Sequence, residues 1–379
     1  MNKKGICFIS GTIFPSQTGG PDNSTYWLAK HLVKLGYKIL IISFYKNLHD
    51  KDIRKFGIKP NSVSDIEGVK IIFCKYLLYR PISFSFWRNI YNIYNSKVYQ
   101  FIMINSYFLF MNLFLILLFG KRVVLSPRGE LEYGAISNKR FKKSLYIYLF
   151  NNFISNKIKF YHFTSEIEKK FARKVINFKK SKILNNFIPD NFNKKYINTT
   201  ISNRKNFIYL GRLQEKKNID LIINAYSKLT LEIKKNHNLV LVGKGEKKYV
   251  SHLKKLSMQN KSNKYIKFIG HKYSPQKEIY LSKSKYLFLV SKSENWGNVV
   301  LESLSVGTPV IISKTNPWNS LDKKCGFVVN ISEKDIYNIM IKTINIKKME
   351  YKKLINNSLK CSSIFFLSKN NKKISSFFR

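Results

Sequence analysis

Acidic residues are the scarcest chemistry in this sequence. Asp and Glu number 21 against 68 Lys and Arg, which leaves a formal net charge of +47. A chain this basic is drawn to anionic surfaces, lipid or nucleic acid. No helix-turn-helix, RNP or zinc-finger pattern appears, and the lysines are spread along the whole chain. An anionic membrane surface is therefore the preferred partner, and a specific nucleic-acid role is set aside. Cysteine is nearly as scarce. Cys7, Cys74, Cys325 and Cys361 stand far apart with no metal-ligand spacing. They read as reduced structural thiols without a metal, which suits the cytoplasm. Met1-Asn2-Lys3-Lys4 leads into an apolar stretch that ends at Gly11, too short for a secretory signal. No G-x-G-x-x-G occurs, so a dinucleotide site is not expected. Arginine is rare beside lysine, which makes an arginine at a strand end informative.

What remains is ordinary globular material, 44% apolar and 23% charged, with length enough for two domains. Apolar runs alternate with amphipathic stretches from Gly5 to Ile346, which predicts α/β architecture. Ile6 to Ser10 reads as a buried strand, Gly11 to Asp22 as a loop, Tyr26 to Leu35 as a helix and Ile39 to Ser43 as the next strand. In that loop Gly19-Gly20 is either a plain turn or a place where backbone approaches a ligand. Residues 47–95 are less regular and carry no chemistry that can be placed. Phe101 to Phe119 is nearly all apolar and about the length of a membrane span. Asn105, Ser106 and Asn112 interrupt it, and a buried strand followed by a core helix explains it equally well. The polar stretch 191–204 reads as a linker. Domains of 1–190 and 205–348 follow, with 349–379 a basic amphipathic tail that packs across both or lies on a membrane surface.

The sharpest stretch runs from Ser291 to Ile312. An apolar strand precedes it, Gly297-Asn298 starts a helix with an apolar face, Gly307 and Pro309 stop it, and Val310-Ile311-Ile312 resumes as a strand. Glu294 in the loop and Glu302 on the helix have seven residues between them. The helix amino end at Asn298 and Val299 lies between the two carboxylates and favours an anion. A ligand with hydroxyls at its ends and phosphates in the middle fits that order. Upstream, Arg212 and Lys217 follow the strand Phe207 to Leu210 and precede the helix Ile219 to Leu229, a good diphosphate site. Gly243 ends another strand, either near a ligand or as a tight turn. Arg128, after the strand ending at Leu125, suits a phosphate or sugar hydroxyl, or else pairs at the surface with Glu130 or Glu132. His162, among aromatic neighbours on a short strand, reads as a core histidine, and Ser165 with Glu168 as a capping box.

Glu294, the loop to Gly297, Glu302 and Gly307-Thr308-Pro309 closely resemble the E-x7-E signature of family 4 retaining glycosyltransferases, which have the GT-B fold. Gly211-Arg212-Leu213 with Lys217 and Asn218 resembles the family's GRL-x3-K-G/N motif, and Val242-Gly243-Lys244-Gly245 its VGxGP element. The run from Ser126 to Ser137 and Tyr161 to Glu166 resembles a subgroup acting in bacterial surface-polysaccharide synthesis, of lipopolysaccharide or capsule. The resemblance spans nearly the whole chain and is most specific from Phe207 to Gly326.

This resemblance implies two doubly wound Rossmann-like domains facing a cleft, the acceptor in the first and the nucleotide sugar in the second. A hexose-type sugar would pass with retention from a UDP-, GDP- or ADP-sugar to a growing lipid-linked glycan, with no cofactor and no metal. Glu294 would hold the transferred sugar and Glu302 the ribose hydroxyls. Arg212, Lys217 and the helix end at Asn298 and Val299 would stabilise the leaving diphosphate, by about 3 kcal/mol per well-placed donor. Gly20, Gly211 and Gly243 would let backbone approach the donor, and Arg128 would contact it. Many members place a histidine near Arg128, and that contact is not carried over. The expected location is the inner face of a bacterial membrane, peripherally. The alternatives are a nucleotide-sugar epimerase of the same fold and a non-enzymatic polyanion-binding protein.

Overall fold

Runs such as Ile39–Phe44 and Tyr99–Asn105 are rich in β-branched and aromatic residues and apolar on both faces. Such segments form central strands covered by helices on each side. A computed structural model describes residues 4–16, 19–76, 83–109, 111–136, 140–190 and 201–379. The chain divides into two units, one of Met1–Phe187 with Asn370–Arg379 and one of Ile188–Lys369.

In the first unit the strands are β1 (Gly5–Ser10), β2 (Ile39–Phe44), β3 (Val63–Ile66), β4 (Val69–Cys74), β5 (Tyr99–Asn105), β6 (Val123–Ser126), β7 (Phe160–Phe163) and β8 (Ser181–Ile183). They form one sheet in the order β3-β4-β2-β1-β5-β6-β7-β8, parallel except for the antiparallel β3–β4 pair. Its helices are α1 (Gly20–Lys34), α2 (Asp50–Phe56), α3 (Phe84–Ser96), α4 (Met111–Phe119), α5 (Tyr133–Ile136), α6 (Arg140–Leu149) and α7 (Glu166–Arg173). The apolar run at 101–119 divides into β5 and α4, with Met111, Leu115, Ile116 and Phe119 of α4 buried. No described helix is long and apolar enough to cross a membrane.

Two expectations for this unit change. The helix expected to begin at Tyr26 begins at Gly20, because Pro21 and Asp22 are favourable first-turn residues. Gly20 thus belongs to a helical turn and not to a free loop. Residues 47–95 are more regular than their composition indicated: α2, the β3–β4 hairpin and α3 occupy much of that range.

The second unit has β9 (Asn206–Leu210), α8 (Ile219–Ser227), α9 (Leu231–Asn236), β10 (Leu239–Val242), α10 (Lys247–Gln259), β11 (Ile266–Gly270), α11 (Gln276–Ser282) and β12 (Ser284–Leu289). There follow α12 (Asn298–Ser305), β13 (Val310–Ser313), β14 (Gly326–Val329), α13 (Glu333–Ile344) and α14 (Lys348–Ser363). The sheet order is β11-β10-β9-β12-β13-β14, and every pair in it is parallel. Chain direction across the sheet reverses between β9 and β12, the position at which open α/β sheets bind ligands beyond the strands' carboxyl ends.

The expected linker 191–204 lies outside the described residues up to 200. Arg204, at its end, is buried and donates to Thr308 Oγ1 (2.7 Å) and the Val306 carbonyl (2.8 Å), so it is part of the second unit. The tail at 349–379 divides between the two units. α14 packs against α12, while α15 (Asn371–Phe377) belongs to the first unit. Phe377 and Phe378 are buried there against Phe160 and Phe101, and Phe365 meets Trp296 and Trp318 in the second unit. Phe377 and Phe378 are thereby withdrawn from the surface, while Phe365 and Phe366 stay partly exposed.

Candidate active site

The loops after β9 and β12 run side by side at the sheet's reversal point. The Lys292 N–H donates to the Lys216 carbonyl (2.8 Å), and Asn218 Nδ2 donates to the Val290 carbonyl (2.7 Å). Asn218 has φ 51°, a left-handed conformation that Gly and Asn adopt most readily, so asparagine suits this position. This clamp brings Lys217 Nζ onto Glu294 Oε1, and Ser291 Oγ donates to the same oxygen (2.7 Å). Lys217 and Glu294 side chains are 13% and 11% exposed, enough for solvent to reach both. Two residues singled out by separate motifs thus form one ion pair. Arg212 is exposed on the same loop, and its carbonyl accepts from the Tyr209 hydroxyl (2.7 Å).

The glycines serve backbone approach at this strand end. A Cβ on Gly243 would stand 1.8 Å from the Gly211 carbonyl oxygen, and one on Gly245 would stand 2.2 Å from that of Leu213. Only glycine lets the loops after β9 and β10 lie this close, with Gly211 at φ 151° and Gly243 at φ 157°. Their observed work is thus to shape the loop that carries Arg212.

Asn298 and Val299 open α12, with Gly297 at φ 70° turning the chain into it. Glu302 lies one turn further in and is buried, at 4% exposed. Its Oε1 accepts from Lys277 Nζ at 2.7 Å, and Lys277 also lies 3.9 Å from Glu278. Burial raises the Glu278 carboxyl above its usual range, and the Glu302 charge adds to that rise. Ser274 Oγ donates to Glu278 Oε1 (2.5 Å). The motif gave no hint of Lys277, which sits at the start of α11 in a lysine-rich chain.

Arg128 belongs to the first unit, where the structure corrects the surface alternative. The residue has φ 54°, and its guanidinium donates to Asn105 Oδ1 (3.2 Å), Asn186 Oδ1 (3.0 Å) and Thr25 Oγ1 (3.2 Å). Burial lowers its pKa to about 10, and Glu168 and Asp22 partly offset the shift. Glu130 faces elsewhere, accepting from Ser106 Oγ (2.9 and 3.0 Å) and the N–H groups of Tyr107 (2.6 Å) and Phe108 (3.1 Å). Glu168 accepts from the Gly129 N–H (2.7 Å) and from the N–H and hydroxyl of Thr164 (2.7 and 2.8 Å). Ser165 caps α7 as expected. His162 is a buried core residue, bonded to Ser126 Oγ and the Leu184 carbonyl at 2.9 Å each. Burial foremost, with Arg128 beside it, lowers its pKa to about 3. Among the described residues no three His, Cys, Asp or Glu side chains gather as a metal site.

Two α/β units built on largely parallel sheets give the chain the GT-B fold. Residues 190–360 match the family described as glycosyl transferases group 1. Among curated proteins, it is 30% identical over 136 residues to the N-acetylgalactosamine-N,N'-diacetylbacillosaminyl-diphospho-undecaprenol 4-alpha-N-acetylgalactosaminyltransferase of Campylobacter jejuni. That match covers 35% of this chain and 34% of the relative. It is 28% identical over 114 residues to the alpha-monoglucosyldiacylglycerol synthase of Streptococcus pneumoniae, covering 30% of this chain and 25% of the relative. The chain thus spans about a third and a quarter of the length of these two curated relatives. Among solved structures, Anabaena Alr3699/HepE in complex with UDP-glucose superposes with a TM-score of 0.78 at 17% identity, over 99% of both chains.

Proposed function

We propose that the chain moves a sugar from a uridine-diphosphate donor to a lipid-linked saccharide, with retained configuration and without a metal ion. The observation that carries this reading is the Lys217–Glu294 pair at the β9–β12 reversal point, beside the amino end of α12. As the glycosyl bond breaks, positive charge grows at the anomeric carbon and negative charge on the leaving phosphate. Lys217, Arg212 and the α12 end would take the phosphate charge, which would free Glu294 for the sugar hydroxyls. Glu302 would receive the ribose hydroxyls from its fixed place beside Lys277. The donor base is drawn from HepE, solved with UDP-glucose. The acceptor class is drawn from the Campylobacter relative, named for a diphospho-undecaprenol saccharide, and fits lipopolysaccharide or capsule synthesis at the inner face of a bacterial membrane.

Thermal unfolding in the presence of UDP, GDP and ADP tests the donor half. A ligand bound only by the native state raises the melting temperature by mass action. UDP alone should do so, and Arg212→Ala should weaken UDP binding by about tenfold while leaving the ligand-free melting temperature unchanged. Stabilisation by GDP or ADP instead would replace the base. An equal response in Arg212→Ala would remove that residue from the site.

A further inference from the structure

Three helices of the first unit turn large apolar side chains outward. α3 buries Phe86, Ile90 and Ile93, yet Phe84 is 74% exposed and Trp87 36%. On α4, Phe114 and Leu117 are half exposed, at 50% and 55%. On α6 and the π turn after it, Phe141 is 84% exposed and Phe153 66%. Trp87 and Phe114 meet edge to face at 6.2 Å, and α3, α4 and the π turn pack inward on a single core cluster. These outward rings therefore share one side of the sheet. Scattered exposed hydrophobics need no explanation, but large apolar side chains turned outward from neighbouring helices on one side of a sheet mark a binding surface.

The charge around it points to the partner. No Asp or Glu occurs from Gly68 to Gly129 or from Tyr133 to Ser165. Arg88, Lys97, Lys121 and Lys142 are exposed on these helices or at their ends. Aromatic and aliphatic residues set among cations, without carboxylates, are the side chains that settle at the boundary of an anionic bilayer. A second copy of the chain is a poorer occupant, because a shared patch would bring like charges together.

We propose that this side of the first unit docks on an anionic lipid bilayer. The outer rings of α3, α4 and α6 enter the headgroup boundary, and the flanking lysines and arginine meet lipid phosphates. The inference is independent of the donor and acceptor assigned above. Flotation of the full chain on vesicles tests it, using phosphatidylcholine alone and an equal mixture of phosphatidylcholine and phosphatidylglycerol. The chain should float with the mixed vesicles and stay behind with the neutral ones. Combining Trp87→Ser, Phe114→Ser, Leu117→Ser and Phe141→Ser should lower the bound fraction at least about tenfold. The charge variant Arg88→Glu, Lys121→Glu, Lys142→Glu keeps the apolar groups and should lose binding most at low salt. Thermal unfolding of each variant checks that it is folded. Failure to float on the mixed vesicles, or undiminished flotation of both variants, would overturn the proposal. So would wild-type dimers that the serine variant dissociates.

Discussion

The two units hold their buried carboxylates in different ways. In the first, Glu130 and Glu168 accept from peptide N–H groups and hydroxyls, and Arg128 donates to two amides and a threonine. In the second, Glu294 and Glu302 each meet a lysine. A carboxylate bonded to N–H groups fixes the shape of its loop and is spent in doing so. A lysine–carboxylate pair keeps a cation and an anion side by side, each suited to a different part of a charged, hydroxylated ligand. The sheet matched by the family is the one that carries such pairs.

The sharpest way to break this contrast is at the deeper pair. Lys277→Met would leave Glu302 buried without its cation, and removing one partner of a buried pair costs about 3–5 kcal/mol. The urea midpoint of the second unit should fall accordingly. Adding Glu302→Leu removes the stranded charge, and most of the loss should return. If Lys277→Met unfolds at the wild-type midpoint, the pair contributes little and Glu302 needs no lysine to stay folded.

Glu294→Gln separates chemistry from stability at the outer pair. Glutamine can still accept from Lys217 and Ser291, so stability should change by about 1 kcal/mol or less. Turnover should fall by about a hundredfold, because a neutral amide no longer answers the charge developing on the sugar. Initial rates with a UDP-sugar beside a melting curve distinguish the two effects. A variant with full turnover would remove Glu294 from the reaction.

How much of this was legible in the sequence follows from how local each arrangement is. Glu294, Arg212 and Lys217 stand in short motifs at strand ends, where glycine and charge occur at fixed offsets, so their neighbourhood could be read directly. Lys277 lies 25 residues before Glu302, and in a lysine-rich chain nothing marks it out. Thr25, Asn105 and Asn186 reach Arg128 from 103, 23 and 58 residues away and are neutral, so only the cation could be read, with a surface pairing as one alternative. The β3–β4 hairpin did leave a signal. Glu67 and Gly68, both at positive φ, form a two-residue turn, and Val63–Ile66 alternates exposed and buried. Its strands are too short to stand out amid lysine and aromatic residues.

The smallest effect concerns His162, where the first unit's reliance on neutral partners has a pH signature. Burial, with Arg128 nearby, holds the folded imidazole at about 3, against an ordinary histidine value of 6.5. Between those values the unfolded chain binds more protons than the folded one. Stability from this group is therefore fully present above about 6.5 and is lost as the pH falls toward 3. The slope is at most about 1.4 kcal/mol per pH unit. Glu130 and Glu168, raised by burial, act in the opposite sense, so the wild-type curve alone does not isolate the histidine. Subtracting the curve of His162→Gln, which can still donate to the Leu184 carbonyl, does isolate it. The difference should grow steadily as pH falls through that window. Parallel curves would mean that His162 takes up its proton without penalty, and the neutral network around Arg128 would then tolerate a second positive charge.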